Sequence, residues 1–121
     1  MRRGAGVSGR KSLGKMTDSI RALLDGLHAA LKDLYGERFV QAVLYGSHAR
    51  GEADEESDVD VMVVLRGPVE PAREIRRLSP LTVQLGLMHE KFISTFPISE
   101  EDYRSKESML LQNVRREGIE V

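Results

Sequence analysis

The order of apolar and polar positions divides the chain into elements. After Thr17-Asp18, which suits a helix N-cap, Ile20, Leu23, Leu24, Leu27, Leu31 and Leu34 recur at helical spacing up to Gly36. Phe39-Val40-Gln41-Ala42-Val43-Leu44-Tyr45 is a short apolar run stopped by Gly46, the pattern of a buried strand. Ser47 to Arg50 fits a short helix and Gly51 to Ser57 an acidic loop. Val59 to Leu65 then has the β-branched density of a sheet centre, and Gly67-Pro68 and Pro71 form the turn after it. Ser79-Pro80 predicts the opening of a helix that runs to about Lys91, with the proline in its first turn. Phe92 to Ile98 reads as a third strand, at an edge or ending at Pro97. Ser99-Glu100-Glu101-Asp102 marks another helix start. A last helix spans about Glu107 to Arg116, stops at Gly118, and precedes a short strand at Ile119-Glu120-Val121. Helix, two strands, helix, strand and helix predict an α/β (α+β) fold with a small mixed sheet and flanking helices.

Composition narrows the class without naming a chemistry. The 121 residues suffice for one ordinary domain, 40% are hydrophobic and 31% are charged. No apolar run approaches the ~20 residues of a spanning helix, and no apolar segment follows the basic N-terminus as in a secretory signal. With no cysteine, disulfide scaffolds and thiolate metal sites are excluded, and a cytoplasmic setting is expected. The net charge of −1 is uneven: residues 1–16 hold Arg2, Arg3, Arg10, Lys11 and Lys15 and no acid, which leaves the remainder 13 basic and 19 acidic residues. Gly4, Gly6, Gly9 and Gly14 favour a flexible basic tail at 1–16 ahead of a domain at 17–121. A solvated extension is favoured there over nucleic-acid contact, and the cluster Arg73, Arg76 and Arg77 is read likewise as a solvated helix face.

Candidate chemistry concentrates between residues 46 and 60. Gly46 permits close backbone approach, the Ser47 hydroxyl can donate to a phosphate oxygen, and Arg50 stands one helical turn on. Asp58 and Asp60 are two apart in an extended run, so both project from one face while Val59 and Val61 point into the core. Adjacent carboxylates repel and call for a cation, and hard oxygen ligands suit Mg²⁺. Each half has a bland alternative: Gly-Ser is a common plain turn, and Asp-x-Asp amid Glu52, Asp54, Glu55 and Glu56 fits a solvated strand start. His48, inside the stretch, could touch a phosphate, although a structural role is the commoner one; His28 and His89 read as structural or surface residues, and Tyr45 as core.

Taken together, Val43-Leu44-Tyr45, Gly46-Ser47, Ala49-Arg50-Gly51 and Ser57-Asp58-Val59-Asp60 leading into Val61-Met62-Val63-Val64 resemble the nucleotidyltransferase signature of the DNA polymerase β superfamily: Gly-Ser, ten residues, Asp-x-Asp. The strong part covers residues 39–66. The small size resembles the minimal nucleotidyltransferases, many of them antitoxins paired with HEPN-domain toxins. The resemblance implies that ATP lies against Gly46 and Ser47, near Arg50, while Asp58 and Asp60 hold Mg²⁺ on its phosphates. An acceptor hydroxyl then attacks the α-phosphorus and pyrophosphate leaves. In the antitoxin members the acceptor is a tyrosine of the partner toxin, which receives AMP.

One departure from the pattern bears on activity. The resemblance also implies a third carboxylate from a neighbouring strand, serving the metal and the acceptor's proton. Phe92 to Ile98 has no acid, and Ser94 stands about where an aspartate is expected; Glu90, near the strand's start, is the nearest replacement. Two readings follow, an enzyme that nucleotidylates a partner protein and a catalytically weakened antitoxin-like module that neutralises a HEPN-type toxin by contact. An antibiotic-modifying enzyme is disfavoured because the chain has no room for an acceptor-holding second domain. The oligomeric state, a homo-oligomer included, stays open.

Overall fold

The computed structural model describes residues 17–121; the basic tail expected at 1–16 lies outside them. Helix α1, Asp18–Tyr35, is capped by the Thr17 hydroxyl, which accepts from the Ile20 N–H, and ends at Gly36 with φ of 57°. A short 3₁₀ turn, Gly36–Arg38, leads into β1, Phe39–Tyr45. A four-residue helix α2, Ser47–Arg50, follows, then β2, Val59–Leu65, and α3, Pro71–His89. The chain finishes with β3, Ile93–Ser99, α4, Glu100–Ser105, α5, Met109–Glu117, and β4, Ile119–Glu120. Sheet order is β3-β2-β1-β4. β1 runs antiparallel to both β2 and β4, and β2 runs parallel to β3, so the sheet is mixed as expected.

Alternation along β2 sends its side chains into two separate cores. Val59, Val61, Val63 and Leu65 pack with Ala42 and Leu44 against the leucines of α1 and against Leu78 and Leu85 of α3. Met62 and Val64 face the other way and meet Val43, Ile98, Leu111 and Val114 under α4 and α5. Both faces of β2 are therefore apolar along almost its whole length, as its sequence demands. The exception is Asp60, which shares the face of Met62 and Val64 but lies beyond the second core.

The first core is closed at one end by a buried polar cluster. Glu74, 2% exposed, accepts from the Tyr35 hydroxyl at 2.7 Å and from Arg38 Nη1 at 3.5 Å, and pairs with Arg77 at 3.7 Å. Arg38 and Arg77 also flank the Tyr35 ring, at 5.8 and 6.0 Å from its centroid. Burial first, and the Glu74 hydrogen bond second, push the Tyr35 phenol far above its usual range. Midway along α1, His28 Nδ1 meets the Val121 carbonyl at 2.9 Å and its ring stands edge-on to Phe39, a structural role.

The long helix α3 departs from the expectation. It starts at Pro71, not at Ser79-Pro80, and Pro80 falls in its interior. Pro71 occupies the first turn, where no N–H is needed. An interior proline forfeits one backbone bond at a cost of about 3 kcal/mol. Around it the Ser79 hydroxyl donates to the Ile75 carbonyl and the Thr82 hydroxyl to that of Ser79, while Glu74, Leu78 and Leu85 hold the helix to the core. The last helix likewise starts two residues later than expected, at Met109, with Ser108 as its cap. No helix among the described residues is long and apolar enough to cross a membrane.

Replacing Glu74 with alanine leaves a buried phenol and two arginines without their acceptor, a loss of about 2–4 kcal/mol. The expected result is a Tm lower by about 10 °C or more, with Glu74→Gln losing distinctly less because it keeps an acceptor. Equal losses in thermal melts of the two variants would show that the hydrogen bonding is not what matters there.

Candidate functional site

β1 ends at Tyr45, and the next residue turns the chain with φ of 79° and ψ of −153°, a conformation that glycine alone adopts readily. Gly46 is there for a second reason. A Cβ on it would stand 2.6 Å from the Asp60 Oδ2, so the carboxylate of Asp60 rests directly against the glycine backbone. The two halves of the sequence motif, fourteen positions apart, are in contact. Ser47 opens α2, where Arg50 N–H donates to the Gly46 carbonyl and Glu52 N–H to that of Ser47. The amides at the start of that turn have no intrahelical acceptor.

Asp60 occupies the second position of β2, between Tyr45 on β1 and Ser94 on β3 in the strand register. Val59 is fully buried on the opposite face, and Asp58 stands just before it in the loop that leads into β2. Asp60 is half-buried and Asp58 exposed. Burial, and then the Asp58 charge, raise the Asp60 pKa; His48 and Arg50 oppose the shift. Tyr45 is raised in turn, by burial and then by Asp60. This is the electrostatic signature of a carboxylate pair short of positive charge.

The remaining residues take unequal places. Arg50 lies at the surface with its Nε 2.9 Å from Glu52 Oε1; that bond is the main reason its pKa is raised, and Glu117 and Asp60 also act on it. Its guanidinium therefore stands beside the pair, tied to Glu52. His48 is buried, with Nε2 3.4 Å from the Ser57 carbonyl, and so it ties α2 to the loop that delivers Asp58. In that loop Asp54 closes a turn: its carboxylate accepts from the Glu56 N–H at 2.9 Å and the Ser57 hydroxyl at 3.1 Å. These bonds hold its pKa below the usual carboxylate value, the Glu56 amide foremost. The Asp54-x-x-Ser57 spacing was a legible turn signal that charge alone concealed.

The third-carboxylate question is answered by register. Ser94 is the parallel partner of Asp60, so an acid there would stand beside it; Glu90 instead caps α3 in a left-handed conformation, exposed, before β3 begins. Among the described residues no group of three or more His, Asp or Glu side chains gathers to hold a metal. Two carboxylates with hard oxygen donors fit a divalent cation whose remaining ligands come from phosphate and water.

Comparison with known proteins gives the family. The family model for the nucleotidyltransferase domain matches residues 24–116. Two Methanocaldococcus jannaschii proteins named as candidate protein adenylyltransferases are similar: one is 34% identical over 74% of this chain and 84% of its own length. The other is 26% identical over 88% of this chain and 99% of its own. Among solved structures, a candidate nucleotidyltransferase from Sulfolobus solfataricus matches 98% of this chain and 89% of its own with a TM-score of 0.54 at 16% identity, a likeness of fold. A candidate minimal nucleotidyltransferase matches 85% of this chain and 95% of its own, with a TM-score of 0.54 and 25% identity.

Two outcomes follow from the contact between Asp60 and Gly46. Gly46→Ala must displace the carboxylate and also adopt a left-handed backbone that costs about 1–2 kcal/mol; binding of a metal-nucleotide complex, read by calorimetry, is expected to fall about tenfold or more. Asp60 has the opposite effect on stability. Because its folded pKa is raised, its contribution is complete below the unfolded value of about 4 and is lost as pH rises through the folded pKa. In EDTA, Asp60→Asn should therefore melt a few degrees above the wild type at pH 7, the difference vanishing near pH 3. A variant that is less stable at pH 7 would contradict the strain assigned to this carboxylate.

Proposed function

Since the chain belongs to the nucleotidyltransferase domain family, whose chemistry uses a nucleoside triphosphate and a divalent metal, we propose that it binds Mg²⁺-ATP and adenylylates a hydroxyl of a partner protein. The observation that carries this reading is the seating of Asp60 on Gly46. It joins a phosphate-approach turn to a carboxylate pair short of positive charge. The triphosphate lies along Gly46 and Ser47, with Arg50 at its margin, and Asp58 and Asp60 hold the cation. When bound, Mg²⁺ neutralises phosphate charge and polarises the α-phosphoryl group. The acceptor oxygen forms a bond to the α-phosphorus, the bond to the bridging oxygen of the β-phosphate breaks, and pyrophosphate departs. The acceptor's proton passes to water or to an aspartate.

That two related proteins are named as candidate protein adenylyltransferases supports a protein acceptor. By the resemblance to minimal nucleotidyltransferase antitoxins, that acceptor is a HEPN-type toxin and the modified group a tyrosine hydroxyl. The register of Asp60 with Ser94 favours a second reading beside it, in which the chain neutralises such a partner by contact with little turnover.

Incubation with α-labelled ATP, Mg²⁺ and the purified product of the neighbouring gene separates the two. Label on the partner that disappears with Asp58→Ala and Asp60→Ala supports adenylylation, and a tight complex without label supports neutralisation by contact. Ser94→Asp restores a third carboxylate beside Asp60 and is expected to raise the transfer rate by about tenfold or more. ATP affinity indifferent to Mg²⁺ and to both aspartates would overturn the site itself.

A further inference from the structure

Helix α3, the outer strand β3 and the acidic loop enclose a groove of about 840 Å³, and Asp58 and Ser94 are among its lining residues. One wall is apolar and open to solvent: Val83 is 59% exposed, Leu87 77% and Phe92 70%. The first two belong to α3 and the third to the turn just before β3, where the chain passes so close to the helix that a Cβ on Gly86 would stand 2.6 Å from the Lys91 carbonyl. Clustered apolar side chains at such exposure mark a surface that is covered by something. The other wall carries Glu55, Glu56 and Asp58, with Glu90 at the turn. Lys91, the one basic residue lining the groove among those described, donates its ammonium to the Glu55 carbonyl at 2.6 Å and so is engaged within the wall.

Two further features define what fits. β3 is the edge of the sheet, and no described strand pairs with its outer side. Pro97 has no N–H to offer, which leaves the half from Ile93 to Phe96 as the free edge; that half lies beside Asp60, through Ser94. Gly46 and Ser47 lie on the β1 side of Asp60, and the groove on its β3 side. A ligand in the groove therefore meets Asp58, the member of the carboxylate pair that lines it, from the side opposite the phosphate turn.

We propose that this groove docks an extended segment of the acceptor protein, with lysine or arginine facing the acidic loop and apolar side chains against Val83, Leu87 and Phe92. The segment presents its hydroxyl at the Asp58 and Ser94 end. The inference rests on the adenylylation reading above and adds the acceptor's chemistry and its direction of approach. Charge complementarity selects a basic segment over an acidic one, and the free strand edge selects an extended conformation.

The probe is a fluorescein-labelled octapeptide, Lys-Leu-Lys-Tyr-Val-Lys-Leu-Lys, with a counterpart in which every lysine is glutamate. Binding to the full chain is read by anisotropy. The basic peptide should bind about tenfold or more tightly than the acidic one. Val83→Ser with Leu87→Ser, and separately Glu55→Gln with Glu56→Gln, should each weaken it by about tenfold. All four positions are exposed, so folding is retained, and Mg²⁺-ATP affinity measured on the same variants should not change. Equal binding of both peptides, or indifference to both variant pairs, overturns the groove while ATP binding that depends on Asp58 and Asp60 leaves the nucleotide site standing. Peptide binding that follows the expected pattern in a chain that fails to bind ATP upholds the docking groove and overturns the enzymatic reading instead. A tenfold gain in peptide affinity on changing Arg2, Arg3, Arg10, Lys11 and Lys15 to serine would assign the groove to the chain's own basic segment and overturn the partner.

Discussion

The carboxylate of Asp60 packs against the backbone of Gly46, and the site is organised around that contact. A charged group at the end of a strand whose other residues are almost all buried is costly unless something compensates it. Here the neighbour is a second carboxylate, which increases the cost, and the partial relief comes from His48 and Arg50. A fold that keeps such a pair with only that partial relief is poised to accept further positive charge from a ligand. In the proposed function, cation and triphosphate together would supply positive charge to the aspartates and a negative group to the turn beside them.

Why the site lies at this end of the sheet follows from its two unequal cores. α1 and α3 cover one face over its full length, from Tyr35 and Glu74 at one end to Ile20 and Leu85 at the other. The second face has only the short helices α4 and α5, and the fully buried part of their core reaches Met62 and Val43, with Tyr45 packed at its margin. Asp60 is the next residue on that face, half-buried beside its register partner Tyr45. Gly118 closes this side tightly, since a Cβ there would clash with Val43 Cγ1 and the Val114 carbonyl. This end of the mixed sheet thus becomes the stretch of β2 where a polar side chain is tolerable, and Asp60 occupies it.

α3 links the stable and the functional ends of the molecule. Its first half is anchored by the Glu74 cluster, and its last turns carry the exposed Val83 and Leu87 beside the free edge of β3. The same helix that completes the main core also offers an uncovered apolar stripe to a partner. Gly86 sets the separation between them, because the backbone of Lys91 fits against it and brings β3 into register with β2.

Much of this was legible in the chain alone. Leucines at helical spacing, the β-branched run from Val59, the caps at Thr17, Gly36 and Ser99, and the Gly-Ser and Asp-x-Asp motif are local patterns. They report local structure because backbone geometry and side-chain alternation act over a few residues. The same periodicity put Asp60 on the face opposite Val59. The start of α3 was missed because Pro80 looks like a helix start; Arg73, Arg76 and Arg77 do lie on an exposed helix face, and what the sequence did not show was the burial of Glu74 against Tyr35. Tertiary structure alone decided two matters: that Asp60 touches Gly46, and that Ser94 is its register partner. Each depends on which strands lie side by side and at what offset, and that is set by how two cores pack on one sheet, across separations no local pattern encodes.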